Sequence, residues 1–194
     1  MKRTAILLFA SLLAFNLSIM SQTKNKEKVI TFVIHTDFGD MKGKLYNETP
    51  QHRDNFVKLA KSGFYDGLLF HRVILGFMIQ GGDPSSKNAK PGQALGSGGP
   101  NYTIPAEFNP AFTHKRGAFA AARTGDQVNP QKASSGSQFY IVQPENGAHF
   151  LDGQYTVYGE ITEGFDVIDK IAAVPVDAAK RPATDVKMTI KILK

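Results

Sequence analysis

In the run FHRVILGFMIQGGDP, Phe70 to Pro84, an arginine and a glutamine interrupt a stretch of Phe, Val, Ile and Met. Arg72 and Gln80 are the residues whose chemistry needs explaining. A guanidinium stays charged at any relevant pH and presents donors in a rigid planar fork. A glutamine amide donates and accepts. Neither is a nucleophile, and the usual catalytic devices are missing elsewhere. The five histidines, His35, His52, His71, His114 and His149, are scattered without metal-ligand spacing. The serines of SSGSQ stand outside a nucleophile-elbow context. There is no cysteine, which excludes a disulfide, a thiolate catalyst and a zinc-thiolate site. The GSGGPN segment, residues 96–101, lacks the Lys-Ser/Thr ending of a phosphate-binding loop. What remains is Arg72 and Gln80, with aromatic residues on other strands.

The elements that must position them are mostly strands. VITFVIHTDFGDMKGKLY, from Val29, is rich in β-branched and aromatic residues and reads as a hairpin turning at Gly39-Asp40. ETPQHRDNFVKLAKSGF predicts a helix with Thr49 as N-cap and Pro50 first. Phe56, Leu59 and Ala60 share one face, and Gly63 can stop it. YDGLLFHRVILGFMIQGGDP returns to strand, broken at Gly76, where a lone glycine suggests a bulge or a close backbone approach. A Gly/Pro/Ser/Asn-rich loop fills 84–110. GAFAAAR, GSQFYIV and YTVYGEI read as strands, and TEGFDVIDKIAA as a second helix capped by Thr162. DVKMTIKIL alternates, with Val186, Met188, Ile190 and Ile192 inward. In GSQFYIV the same alternation puts Gln138 and Tyr140 on one face, Phe139 and Ile141 on the other. The first and last segments are both strong strands, and pairing them would close the sheet and remove its edges. The expectation is a mainly β fold: a closed antiparallel β-barrel with two helices over its ends.

At 194 residues the chain is one domain's worth. Lys2 and Arg3 precede the apolar run TAILLFASLLAFNLSIMS, the pattern of a secretory signal peptide. The expected organisation is a signal peptide over 1–21, a polar linker over 22–28 and a folded domain over 29–194. An uncleaved membrane anchor is the alternative. Export is expected, to the periplasm first and the medium second, with no stable membrane insertion after cleavage. The net charge of +6 is interspersed rather than gathered in the stripe a nucleic-acid footprint needs. No nucleic-acid partner is expected.

The segment FHRVILGFMIQGGDP closely resembles the signature of the cyclophilins, the peptidyl-prolyl cis–trans isomerases. NFVKLAKSGFYDG precedes it as in that family. AEF, HKRGAFAAAR, SGSQFYIV and FLDGQYTVYGEITEGFDVID follow in family order. The resemblance runs from Val29 to the C-terminus. It implies an eight-stranded closed barrel capped by two helices, and a groove on the barrel wall for a proline side chain. It implies no cofactor and no metal. The expected partners are proline-containing segments of unfolded or exported proteins, and a monomer is expected.

Position by position, Arg72 is similar to the family's catalytic arginine. Phe77, Met78, Tyr140 and Leu151 match the proline pocket. Gln80, Ala122, Gln138, Phe150 and Tyr155 match its rim and the clamp on the substrate backbone. His71 and Arg123 are second-line neighbours, Arg123 through its backbone. The readings from the residues alone stay open. Phe77 and Met78 would otherwise be core, since adjacent residues of a regular strand point opposite ways, and both reaching a groove requires an irregularity near Gly76. Arg72 could be a surface ion-pair residue and Tyr155 strand filling. His71 fits a structural, hydrogen-bonded histidine better than an acid or base. A proline-binding module with incidental catalysis would use the same groove. Three positions depart from the best-known pattern: Tyr140 for Phe, Phe150 for Trp, Tyr155 for His. Phe150 lacks the indole N–H that helps the family bind cyclosporin, so weak sensitivity to that drug is implied.

Overall fold

The computed structural model describes residues 28–193. The expected signal peptide, 1–21, and all but the last residue of the expected linker lie outside the described residues. The described residues fold as ten strands and two α-helices. Strands β1 (Thr31–Thr36) and β2 (Gly39–Leu45) form the expected hairpin. Its turn lies two residues earlier than Gly39-Asp40, at Asp37 and Phe38. Thr36 makes that turn itself: its hydroxyl donates to the Gly39 carbonyl at 2.8 Å and accepts from the Phe38 N–H at 3.1 Å.

Helix α1 (Pro50–Lys61) begins with Thr49 and Pro50 as expected, and Phe56, Leu59 and Ala60 are buried. The Thr49 hydroxyl, however, donates to the Tyr46 carbonyl instead of capping. The free N–H groups of Gln51 and His52 are taken by the Glu107 carboxylate at 3.1 and 2.9 Å. The cap is therefore supplied from across the molecule, which local sequence cannot reveal. Gly63, at φ +73°, closes the helix in the left-handed region.

Strands β3 (Leu68–Ile74) and β4 (Met78–Gly81) correct the expectation of one strand bent at Gly76. They are antiparallel neighbours, with Ile74 opposite Met78 and Arg72 opposite Gln80. Gly76 sits in the reversal at φ +76°, with open space around its α-carbon. A left-handed residue there turns the chain fully back, which a bulge would not do.

Strands β5 (Thr103–Ile104) and β7 (Ser134–Ser135) pair in a small separate sheet that the sequence did not signal. Strands β6 (Ala118–Ala121), β8 (Phe139–Val142) and β9 (Val157–Glu163) lie in the expected segments. Helix α2 spans Phe165–Ala172. Thr162 is the penultimate residue of β9, not a cap; Gly164 caps α2 at φ +88°, where a Cβ would overlap the Asp40 carbonyl. Strand β10 (Lys187–Ile192) buries Met188 and Ile190 on its inner side, and Val186, just before it, is buried with them.

The barrel closes in the order β1-β10-β3-β4-β8-β6-β9-β2, all antiparallel, so first and last strands pair as expected. Inside lies an aromatic core of Phe32, Phe56, Phe70, Phe119 and Phe139, each at most 1% exposed. Its rings meet largely edge to face, the arrangement their quadrupoles favour. A second apolar cluster is separate: Met78, Ala118, Ala120, Ala122, Tyr140, Val142, Ala148 and Val157, with Phe77, Leu151 and Tyr155 packed on it. Strand alternation explains the division. Phe139 and Ile141 of β8 point inward, whereas Tyr140 and Val142 point out through the wall, onto the outer surface of the barrel.

Candidate functional site

The outer cluster forms the base of a pocket of about 150 Å³, lined by Arg72, Phe77, Met78, Gln80, Ala122, Arg123, Tyr140, Leu151 and Tyr155. That volume is well below the ~300 Å³ at which drug-sized sites begin, and suits one small ring. Phe77 belongs to the hairpin reversal and Met78 to the first position of β4, so the turn at Gly76 lets two adjacent residues face the same space. Gln138 lies next door, on the wall of an adjoining cavity of about 540 Å³ that shares Gln80, Ala122 and Arg123 with the pocket. Phe150 stands at the edge, 74% exposed, its ring 5.6 Å from that of Phe77.

The polar side of the pocket is a chain of hydrogen bonds with one possible direction. Arg72 Nη1 donates to Gln80 Oε1 at 3.1 Å. A guanidinium only donates, so the Gln80 oxygen must face it and the amide nitrogen must face away. That nitrogen donates to Gln138 Oε1 at 3.1 Å. Gln138 Nε2 in turn donates to the carbonyls of Gly96 and Gly98 at 3.0 and 2.7 Å. The loop carbonyls thereby fix Gln138, which fixes Gln80, which fixes Arg72. Asp83, fully buried, anchors that loop by accepting from the main-chain N–H groups of Ser85, Gly96 and Gly98. A Cβ at Gly98 would overlap the Asp83 carboxylate, so only glycine allows the approach.

The pocket's two tyrosines are each held by a neighbouring side chain, Tyr155 by Arg123 of the pocket wall and Tyr140 by His114 behind it. Arg123 was expected to contribute only its backbone. Its side chain instead lies 4.4 Å over the ring of Tyr155, and donates to the Gln154 and Thr124 carbonyls and to Asp126 Oδ1 at 2.6 Å. The Arg123 hydrogen bond, more than its charge, holds the Asp126 carboxyl below its ordinary value. Tyr140 reaches a buried histidine: its hydroxyl is 2.8 Å from His114 Nε2. Asp152 Oδ1 accepts from both Nδ1 and the main-chain N–H of His114 at 2.7 Å, and Oδ2 meets His149 Nδ1 at 2.9 Å. Burial pushes His114 below the usual histidine range, against the pull of Asp152. Burial drives the Tyr140 hydroxyl well above its usual value, keeping it protonated.

His71, expected to be hydrogen-bonded, is 3% exposed, yet neither ring nitrogen has a hydrogen bond of good geometry among the described residues. Its Nε2 lies against Gly96. Burial lowers its pKa, with Asp83 and then the nearby Leu69 backbone opposing, so it stays neutral beside the Arg72 charge. His114 and Asp152 escaped the sequence reading because 38 positions separate them, and nothing local marks the pair. Glu107 falls within the AEF motif, where nothing local signals its capping of α1.

The model of the family described as cyclophilin-type peptidyl-prolyl cis-trans isomerase/CLD matches residues 31–191. The chain is 33% identical over 164 residues to the peptidyl-prolyl cis-trans isomerase CYP18-1 of Arabidopsis thaliana, covering 82% of this chain and 92% of that protein. It is 35% identical to a putative peptidyl-prolyl cis-trans isomerase of Staphylococcus epidermidis, over 83% and 90% of the two chains. It is 36% identical to peptidyl-prolyl cis-trans isomerase-like 2 of Rhizopus delemar, but spans only 29% of that longer protein. Among solved structures it resembles a cyclophilin-type peptidyl-prolyl cis-trans isomerase of Cryptosporidium parvum, with a TM-score of 0.72 and 28% identity, over 86% of this chain and 99% of that one. A second structure of the same protein, in the presence of the dipeptide Ala-Pro, matches with a TM-score of 0.70.

Proposed function

Because this chain belongs to the cyclophilin-type peptidyl-prolyl cis–trans isomerases, we propose that Arg72 drives the rotation, that the small outer pocket holds the proline ring, and that the clients are exported proteins.

Rotation about a peptide bond is opposed by amide resonance, a barrier of roughly 18–20 kcal/mol. For X–Pro the isomers are close in energy but exchange over tens to hundreds of seconds. No bond is made or broken, so a catalyst needs only to favour the twisted state, in which the prolyl nitrogen regains its lone pair. Arg72 stands at the lip of the pocket with one N–H group committed to Gln80. Its remaining donors point a fixed charge at whatever the pocket holds. The walls of Phe77, Met78, Tyr140 and Leu151 keep the pyrrolidine still while the acyl side turns. Ala122, Gln80 and Gln138 border the path of the flanking backbone, Tyr155 and Phe150 its rim. That a relative's structure was determined in the presence of Ala-Pro supports a proline-containing ligand.

The observation that carries this reading is a guanidinium, oriented by Gln80, on the rim of a pocket sized for one ring and walled on one side by Phe77, Met78 and Leu151. The test is exchange of an Ala-Pro peptide followed by NMR. Arg72→Ala is expected to abolish most of the acceleration while peptide binding survives. Equal activity of Arg72→Ala and wild type would overturn the assignment, and intact rescue of client folding by that variant would favour a binding module.

The export reading rests on Lys2, Arg3 and the apolar run that follows them. The mature protein begins near Gln22, acts outside the cytoplasm as a monomer without cofactor, and engages proline-containing segments of folding chains. The N-terminal mass of the protein recovered from the periplasm tests it; an intact Met1 there would refute cleavage.

A further inference from the structure

We propose that His114 and Asp152 are positioning residues for the proline pocket, acting through the hydroxyl of Tyr140. The inference rests on Tyr140 being part of that pocket. Asp152 Oδ1 takes two hydrogen bonds from the same residue, one from the main chain and one from Nδ1 of His114. A carboxylate only accepts, so Nδ1 carries the imidazole proton and Nε2 is bare. The Tyr140 hydroxyl, 2.8 Å away, must then donate to Nε2. The order of protons is fixed from Asp152 to Tyr140, and the hydroxyl proton is committed away from the pocket. The two rings lie within 12° of parallel, and Tyr155 meets both edge to face. His114 is fully buried and Tyr140 5% exposed, so no water competes for these bonds at the pocket floor. Tyr140 is thereby held at both ends, by the β8 backbone and by its hydroxyl.

The charged groups around His114 are few. Asp152 faces it, and half-exposed His149 shares the second oxygen of that carboxylate. Lys115, the next residue, is turned to Glu160. Arg123 acts from beyond Tyr155. A second proton on His114 would have to sit on Nε2 and would reverse the bond to Tyr140.

A simpler role is possible for the same residues. The His114 carbonyl accepts from the Ala148 N–H at 2.7 Å, and Asp152 follows Leu151, so the pair could merely brace the turn that carries Leu151. A double-mutant cycle separates the two. Asp152→Ala removes the acceptor that holds the proton on Nδ1 and so releases the proton order, whereas Asp152→Asn would keep its oxygen on the His114 main-chain N–H and preserve it. Asp152→Ala is expected to raise KM for an Ala-Pro peptide, and its Kd by NMR titration, about fivefold with kcat little changed, the worth of one hydrogen bond. Tyr140→Phe should do the same, and the double variant should be no worse than the poorer single. His114→Phe, which strands the hydroxyl, should be restored by adding Tyr140→Phe. Wild-type KM should rise as pH falls below the ordinary histidine range, and this rise should be absent in Tyr140→Phe. Nitrogen NMR of His114 should show the Nδ1-protonated form, and losing it in Asp152→Ala is part of the expectation. Losses that multiply in the double variant, or an Nε2-protonated His114 in the wild type, would overturn the proposal. Absence of any isomerase activity with the peptide still bound would instead strike at the role of Arg72, leaving the Kd cycle and the tautomer to decide this one.

Discussion

Gln138→Glu is nearly isosteric and should disable the polar chain behind Arg72 in a pH-dependent way. Gln138 is 5% exposed and donates to two loop carbonyls, Gly96 and Gly98, while accepting from Gln80. A glutamate keeps the acceptor and loses both donors. Two hydrogen bonds at about 1 kcal/mol each set the loss near 2 kcal/mol, before any repulsion between carboxylate and carbonyls. For a domain of this size that lowers Tm by roughly 4–8 °C. The new carboxyl, buried against carbonyl oxygens, should have its pKa raised above the ordinary value of about 4.3. A raised folded-state pKa gives stability that is present below the unfolded value and lost as pH rises through the folded one. The protonated acid can donate to one carbonyl, so the deficit against wild type should shrink at pH 4.5 and be largest at pH 8. The assay is paired thermal melts of variant and wild type across that range, with isomerisation of an Ala-Pro peptide at 10 °C. Catalysis at pH 8 should fall several-fold, because Gln80 and then Arg72 lose their fixed orientation. A deficit independent of pH, or none at all, would refute the directed chain.

Acid should destabilise the protein through three buried histidines. Burial lowers His52, His71 and His114 in the folded state, so the unfolded chain binds the extra protons; stability is unaffected above about pH 7 and falls as pH drops below about 6.5, by at most ~1.4 kcal/mol per pH unit for each. His71→Leu should flatten that slope in thermal melts at pH 5–7, and an unchanged slope would exclude His71. Glu107→Ala removes the cap of α1 and the partner of buried His52, 2.6 Å away. It should cost about 2 kcal/mol in denaturant unfolding with unaltered kcat, and a change under about 0.5 kcal/mol would deny the cap. Wild-type inhibition by cyclosporin should be weaker than 100 nM, about 9.5 kcal/mol of affinity. Phe150→Trp should tighten it about two- to tenfold through one added donor, and as the lone tryptophan its fluorescence should report peptide binding.

Much of this protein was determined locally and so was legible in the sequence. Apolar alternation in 185–193 and in GSQFYIV set which side chains enter the barrel, because a strand has a period of two and one face must be buried. Pro50 and Gly63 bounded α1, because each restricts or frees φ by its own covalent structure. The ordered motifs around Arg72, Phe77, Met78 and Gln80 marked the residues that meet in one pocket. The tertiary structure decided what depends on partners distant along the chain. It turned the expected bend at Gly76 into a hairpin reversal, placing Arg72 opposite Gln80. It supplied the cap of α1 from Glu107 rather than Thr49, and stacked the Arg123 side chain on Tyr155. It buried His71 without a side-chain partner for its ring, and joined Tyr140, His114 and Asp152 from three separate segments. Alternation and backbone restriction act between neighbours, whereas a hydrogen bond or a ring contact takes whichever group the closed barrel brings within reach.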